Sequence, residues 1–303
     1  MVGNKTITNK NTFNATLAAF FSNFLFGFSF WLTNVCLKYA SPSVLLALRF
    51  FLAFVILNIL VLFKVIKISF KGKNVWPLVL MGLLQPVIYF YCETYGMKFS
   101  SATFAAVVIA LVPVGAMIYS ALFMKEPPTF WQAVFGVISV IGVILLSIGD
   151  GVGTTTVIGT LLLIGAVVCA VGFNAISHKS ASQFSAFERT YIMFAVSSVV
   201  FTAFAVIENI GDMTMLYKPL SEVEFLGAIL YLGVLSSIIA YTLINYANTY
   251  LPISRTTIFS NIITIVSIFV GIVILKDTKL SFENIFYSIM IIVGIFGVQK
   301  FAK

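Results

Sequence analysis

The chain has 303 residues, 60% of them in the apolar set AVILMFWYC and only 9% charged, with a formal net charge of +8. Ordinary soluble domains carry about 25% charged residues, and a soluble fold of this size leaves too much surface exposed to hide so many apolar side chains. The composition excludes a cytosolic enzyme, a disordered chain and a secreted disulfide scaffold, and points to a polytopic membrane protein.

A helix needs about 20 apolar residues to cross the hydrocarbon. Ten such segments are read in order: 15–36, 44–63, 76–96, 102–123, 131–149, 157–177, 190–207, 225–246, 256–275 and 283–300. Continuous apolar runs such as Val134 to Ile148 do not alternate as barrel strands do. The expected fold is therefore all-α and integral to the membrane, with ten transmembrane helices. Residues 1–14 form an N-terminal tail carrying Lys5 and Lys10. The first apolar segment is too long for a signal-peptide core and no cleavage pattern follows, so it reads as an uncleaved span. Glycosylation patterns at Asn4 and Asn14 are unused if that tail is cytoplasmic.

Orientation follows from lysine and arginine. With the N-terminus inside, the inner side receives twelve cations against Glu126 and Glu188, and the outer side six cations against eight carboxylates. The bias places both termini in the cytoplasm and the chain in the cell membrane. It also accounts for the net charge without nucleic acid as a partner. The lipid bilayer is the first partner implied. The run Lys64, Lys67, Lys71 and Lys73 reads as a solvated inner loop. Cys36, Cys92 and Cys169 lie in apolar stretches and read as small buried hydrophobes.

The sequence repeats weakly. A shift of 151 residues aligns Gly82 with Gly233, Tyr95 with Tyr246, Lys125 with Lys276 and Glu126 with Asp277. A shift near 145 aligns Gly27-Phe28 with Gly172-Phe173. Each copy holds five spans, 15–149 and 157–303, around a linker at 150–156 that follows Gly149. An odd span count makes the second copy enter the membrane from the opposite face, giving two inverted five-helix repeats.

The stretch Pro113 through Lys125-Glu126-Pro127-Pro128-Thr129, followed by Gln132, Gly136 and Gly142-Val143, resembles the EamA-type domain of the drug/metabolite transporter superfamily, as does Arg49-Phe50. The second copy departs from the pattern: Asp277 replaces the Glu, Thr264 stands at the Pro113 position and no arginine matches Arg49. The resemblance covers nearly the whole chain. It implies a ten-helix transporter of metabolites, often an exporter of amino acids.

Ionisable and polar groups at membrane depth are costly and mark candidate function. Arg49 lies about two turns from the outer end of its span and can grip a carboxylate through two N–H groups. Structural pairing or snorkelling to the outer headgroups is the competing reading. Gln85, Tyr89 and Glu93 share one helix face, and Glu93 either lines a pathway or simply reaches water or pairs with Arg49. A similar stripe of Ser237, Tyr241 and Asn245 occupies the related span. Asn23, Gly27, Phe30 and Asn34 form a third stripe, next to Trp31. Asn174, Ser260, Asn261 and Thr264 add polar groups elsewhere. The candidate cavity thus comprises Asn23, Trp31, Asn34, Arg49, Gln85, Tyr89, Glu93, Asn174, Tyr241, Asn245 and Asn261, with buried amides alternatively serving as interhelical glue. Pro86 and Pro113 each remove a helix hydrogen bond and are candidate hinges. His178 reads as interfacial.

The sequence contains no phosphate-binding GxxxxGK[ST] loop, no HExxH, and no Cys/His cluster with metal-ligand spacing. No cofactor, metal or catalytic centre is expected. The reading is a secondary transporter, exporting small organic metabolites such as amino acids by alternating access. A nucleotide-sugar or other organic-anion exchanger and a non-transporting receptor or scaffold are the alternatives. The spans at 131–149 and 283–300 carry almost no deep polar residues and suit packing or a homodimer contact.

Overall fold

The computed structural model describes residues 9–124, 127–148, 156–270, 273–274 and 282–301, and these contain helices and turns but no strand. The first two helices are α1 (Asn9–Cys36) and α2 (Pro42–Leu62). Next, α3 (Trp76–Gly82) runs through a π-helical stretch, Leu83–Ile88, into α4 (Tyr89–Lys98). A break at Ala110-Leu111 separates α5 (Ala102–Ile109) from α6 (Val112–Tyr119), which is followed by α7 (Phe130–Ile148). The second half begins with α8 (Val157–Ser180) and α9 (Ala186–Glu208), then the short α10 (Thr214–Tyr217). Then α11 (Val223–Leu230) passes through a π-helical stretch, Tyr231–Ile239, into α12 (Ala240–Tyr250). The remaining helices are α13 (Ile253–Ile258), α14 (Ser260–Val270) and α15 (Phe282–Lys300).

Among the described residues, seven of the ten expected spans are long and apolar enough to cross a membrane, and Phe130–Leu145 and Ile285–Lys300 are shorter apolar helices. The expected span at 256–275 is instead divided between α13 and α14. Large apolar side chains face outward along these helices, among them Phe51, Val199 and Phe296. Only lipid suits such a surface, and the protein is a multi-pass membrane protein. Lys125, Glu126, Lys276, Asp277, the linker glycines and the first eight residues lie outside the described set.

Local sequence fixes several helix starts. Ser101 Oγ accepts from Phe104 N at 3.0 Å, and Thr156 Oγ1 accepts from Gly159 N at 3.1 Å. Ser185 and Glu188 form a capping box, with Glu188 N donating to Ser185 Oγ at 3.2 Å and Ser185 N to Glu188 Oε2 at 2.7 Å. Two orphan N–H groups are thereby satisfied, so α9 begins at Ala186 rather than at the expected 190.

The helix interruptions also pair between the halves. The π-helical stretch at Pro86 matches the one at Ser236-Ser237, and the break between α5 and α6 matches that between α13 and α14. Gln85 has extended backbone angles (φ −147°, ψ 115°). Pro113 sits in the first turn of α6, where its missing N–H was without an intrahelical partner in any case.

Helix pairing follows a symmetric plan. α2 packs on α9 and α7 on α15, each helix against its counterpart in the other half, while α5 packs on α14 and α6 on α13, two pairs that exchange when the halves are exchanged. α1 packs on α12 and α4 on α8, two pairs that exchange when the halves are exchanged. Small residues permit close approach, since packing rather than water exclusion drives association in lipid. A Cβ on Gly27 of α1 would fall 2.5 Å from Val266 Cβ of α14, and one on Gly294 of α15 would fall 2.6 Å from Ser139 Cβ of α7.

Candidate functional site

The helix breaks meet around a cavity of about 80 Å³. Its lining comes from α1, α2, the first π-helical stretch, α4, α5, α6, α8, α12, α13 and α14. α7 and α15 contribute none of these lining residues and pack against each other instead. Seven of the eleven candidate cavity residues line it: Asn23, Arg49, Gln85, Tyr89, Glu93, Asn174 and Tyr241; Phe30 and Ser260, also noted in the sequence, join them.

Arg49 is 1% exposed. Its Nε donates to Ser237 Oγ at 3.0 Å and its Nη2 to Ser236 Oγ at 3.1 Å. The guanidinium carbon stands 4.3 Å from the Phe90 ring centroid and 5.3 Å from that of Phe50. Cation–π attraction contributes on the order of 2 kcal/mol at such desolvated sites. Ser236 Oγ is also 2.6 Å from Ser29 Oγ, so a serine pair ties α1 to the second π-helical stretch beneath the arginine.

On the same lining, Tyr89 Oη donates to Glu93 Oε1 at 2.9 Å. Glu93 is 5% exposed and forms no ion pair with Arg49. Gln85 Nε2 donates to Tyr241 Oη at 2.7 Å, joining the polar stripes of the two halves. Gln85 Oε1 is buried and has no partner. Phe26, Phe90, Phe173 and Phe194 surround the Tyr241 ring at centroid distances of 5.2 to 6.3 Å. The site therefore offers a cation and a carboxylate, both desolvated, within an aromatic wall.

The other predicted residues lie outside this lining. Trp31 and Asn34 are half-buried on α1. Asn261 donates to Gln299 Oε1 at 3.0 Å. Asn245 donates to Thr190 Oγ1 at 3.0 Å and accepts from Ser177 Oγ at 2.7 Å. Pro86 and Pro113 shape the helix breaks beside the cavity without lining it. Asn23 and Asn174, although lining it, each donate to the carbonyl one turn back, Ala19 O at 2.7 Å and Ala170 O at 2.9 Å.

Sequence reasoning missed Ser29, Ser236, Phe90 and the pair Thr256-Thr257. It also missed a second buried arginine. Arg189, in the first turn of α9, is 0% exposed. Its Nη1 donates to Ser177 O at 2.8 Å and Ser177 Oγ at 2.9 Å. Its Nη2 donates to Asn245 O at 2.6 Å and Thr249 Oγ1 at 2.5 Å, and its Nε to Ser185 O at 3.4 Å. This cluster binds α8, α9 and α12 of the second half together. Nearby, Glu188 accepts from Ser69 N at 2.9 Å and pairs with Lys73 at 3.2 Å, tying the loop after α2 to α9. His178 Nδ1 lies 2.9 Å from Asn248 O.

Comparison with known proteins decides the family. A model of the EamA-like transporter family matches residues 14–148 and again 157–299. The chain belongs to the EamA-like transporter family. Its relatives include the uncharacterized transporter YcxC of Bacillus subtilis (strain 168), 32% identical over 93% of this chain and 92% of the relative. Another is an uncharacterized transporter of Archaeoglobus fulgidus, 22% identical over 90% of this chain and 94% of the relative. One solved crystal structure, 17% identical, superposes with a TM-score of 0.66 over 93% of this chain and 95% of its own, a likeness of fold. The EamA-like chain is thus a membrane transporter with its family domain present twice.

Proposed function

We propose that this EamA-like protein is a secondary transporter that exports small organic metabolites bearing a carboxylate, with amino acids and related compounds as the leading class. Arg49 carries this reading. It is a fully desolvated guanidinium on a cavity wall, held by two serine hydroxyls and no carboxylate ion pair among the described residues. A buried cation without a directly hydrogen-bonded anion is unfavourable, and a substrate carboxylate would relieve that cost through charge-assisted hydrogen bonds.

The proposed mechanism is alternating access between two inverted five-helix repeats around a site near the bilayer midplane. The exchange-symmetric helix pairing and the matched helix breaks support it. Pro86 and Pro113 are the proposed flexing points. Lysine distribution supports cytoplasmic termini in the cell membrane. Outward transport rests on the family resemblance.

Flux in sealed proteoliposomes tests the reading. Purified protein should move a labelled amino acid or related carboxylate across the bilayer, and Arg49→Ala should lower that flux by a factor of about 30 or more. Binding without flux would make the protein a receptor rather than a transporter.

A further inference from the structure

A second cavity shares no described lining residue with the central one. α8 packs on both α3 and α6, and a cleft of about 640 Å³ lies among the three. That size falls in the range of about 300–1,000 Å³ common for small-molecule sites. The lining includes Trp76 and Leu80 of α3, Leu83 just after it, Tyr119 of α6 and Ile176 of α8. Trp76, Leu80 and Leu83 are exposed although they belong to a membrane-length helix. The cleft therefore opens toward hydrocarbon. From Trp76 to Leu83 the helix rises about 10 Å, so the apolar part of the cleft reaches below the headgroup level.

The other end of the cleft is polar and basic. Asn74, Lys179, Ser180 and Gln183 line it, at the start of α3 and the end of α8. Lys179 is exposed and forms no ion pair among the described residues. Ser180 is buried, and its hydroxyl makes no hydrogen bond among the described residues. Lys73 Nζ stands 5.2 Å from the ring centroid of Phe184, another lining residue, while paired with Glu188. No carboxylate is among the described lining residues. Glu188, nearby, is spent on Ser69 N, Ser185 N and Lys73. The last carbonyls of a helix repel an anion, but here they are engaged. Ser180 O accepts from Gln183 N at 3.1 Å and Phe184 N at 3.0 Å, and Lys179 O from Ser182 Oγ at 3.1 Å. Exposed Lys64, Lys67 and Lys71, in the loop leading to Asn74, add to the basic field.

We infer that this cleft holds an anionic phospholipid of the leaflet on the basic face, the cytoplasmic one in the orientation proposed above. Its phosphate takes the Lys179 ammonium and the Ser180 hydroxyl, and hydrogen bonds to an ionised acceptor are the strong ones. An acyl chain lies along Leu80 and Leu83, with Trp76 at the headgroup level where tryptophan is enriched. A zwitterionic headgroup fits less well, because its cation finds no carboxylate on the lining and meets Lys179 instead. A lipid seated here braces α3 where it leads into the π-helical stretch that carries Gln85 to the central cavity. The inference is independent of which substrate that cavity takes.

Native mass spectrometry of the purified full-length protein tests this. The probes are phosphatidylglycerol and phosphatidylcholine with the same acyl chains, and water-soluble glycerol phosphate. Phosphatidylglycerol should bind more tightly than phosphatidylcholine by about tenfold or more. Lys179→Gln changes an exposed side chain without an ion pair among the described residues. It should weaken phosphatidylglycerol binding about fivefold, the worth of one lysine at an anionic membrane surface, and leave phosphatidylcholine binding unchanged. Lys10→Gln is the control, an exposed lysine at the start of α1 and outside the cleft lining. It should bind as the wild-type protein does. Equal binding of the two lipids by the wild-type protein overturns the inference, and that comparison needs no variant. No loss in Lys179→Gln, or equal losses in both variants, overturns it too, the latter by showing a general surface charge effect. Glycerol phosphate binding as tightly as phosphatidylglycerol would assign the site to a soluble phosphate and overturn the lipid.

Discussion

Two buried arginines sit in very different surroundings. Arg189 makes five hydrogen bonds, three of them to backbone carbonyls, from Nε, Nη1 and Nη2. Its donors are spent inside the second half of the molecule. Arg49 makes two, both to serine hydroxyls, and otherwise rests against aromatic faces. Neither forms an ion pair among the described residues. Carbonyl oxygens fixed by three helices make Arg189 a structural clasp. Rotatable hydroxyls and ring faces hold Arg49 in place yet leave donor capacity facing a cavity. Burial of a cation alone does not separate these roles; the supply of acceptors does.

The comparison breaks if the two arginines respond alike to removal. The largest expected effect is on Arg189→Ala, which removes the guanidinium donors that tie Ser177 of α8 and Asn245 and Thr249 of α12 to α9 in the buried cluster. We expect a loss of about 4 kcal/mol, the range for breaking a buried hydrogen-bond network, seen as poor yield of monodisperse protein or a markedly lower Tm. Arg49→Ala should retain the fold but lose the ligand anchor. Truncating one side of a buried charged contact costs about 2–5 kcal/mol, so transport or binding should fall by a factor of about 30 or more. A smaller effect is expected for Ser177→Ala, which removes one acceptor of Arg189 and one donor to Asn245; about 1–3 kcal/mol of stability should be lost, with transport specificity unchanged. The smallest is Tyr89→Phe, which frees Glu93 Oε1. It should weaken transport by a few-fold, with a Tm close to that of the wild-type protein.

The sequence made the helices legible because continuous apolar runs have one meaning in a chain with so little charge. It also made the duplication legible, and with it the helix breaks at Pro86 and Pro113. Most of the cavity's polar lining was found by spacing on single helices, as with Gln85, Tyr89 and Glu93. Spacing gives a face but not the partner across it. Tyr241 and Asn245 were read as one stripe, yet Tyr241 enters the cavity while Asn245 turns to Ser177 and Thr190. Ser236 and Ser29 drew no attention because lone serines are common in apolar helices, and only the fold brings them to Arg49. Arg189 falls among the twelve inner cations because a span read from 190 leaves it in the preceding loop. The pattern Ser185-Ala186-Phe187-Glu188 was the missed signal, since a capping box there moves the helix start upstream and carries Arg189 into the bundle.

The central claim is that Arg49 holds a substrate carboxylate. The most direct measurement is a thermal-shift screen of wild-type and Arg49→Ala protein, side by side, against a metabolite library rich in carboxylates. The account predicts that the compounds stabilising the wild-type protein carry a carboxylate, and that the same compounds fail to stabilise folded Arg49→Ala. Stabilising compounds that lack an acidic group, or that act equally on both proteins, would contradict it.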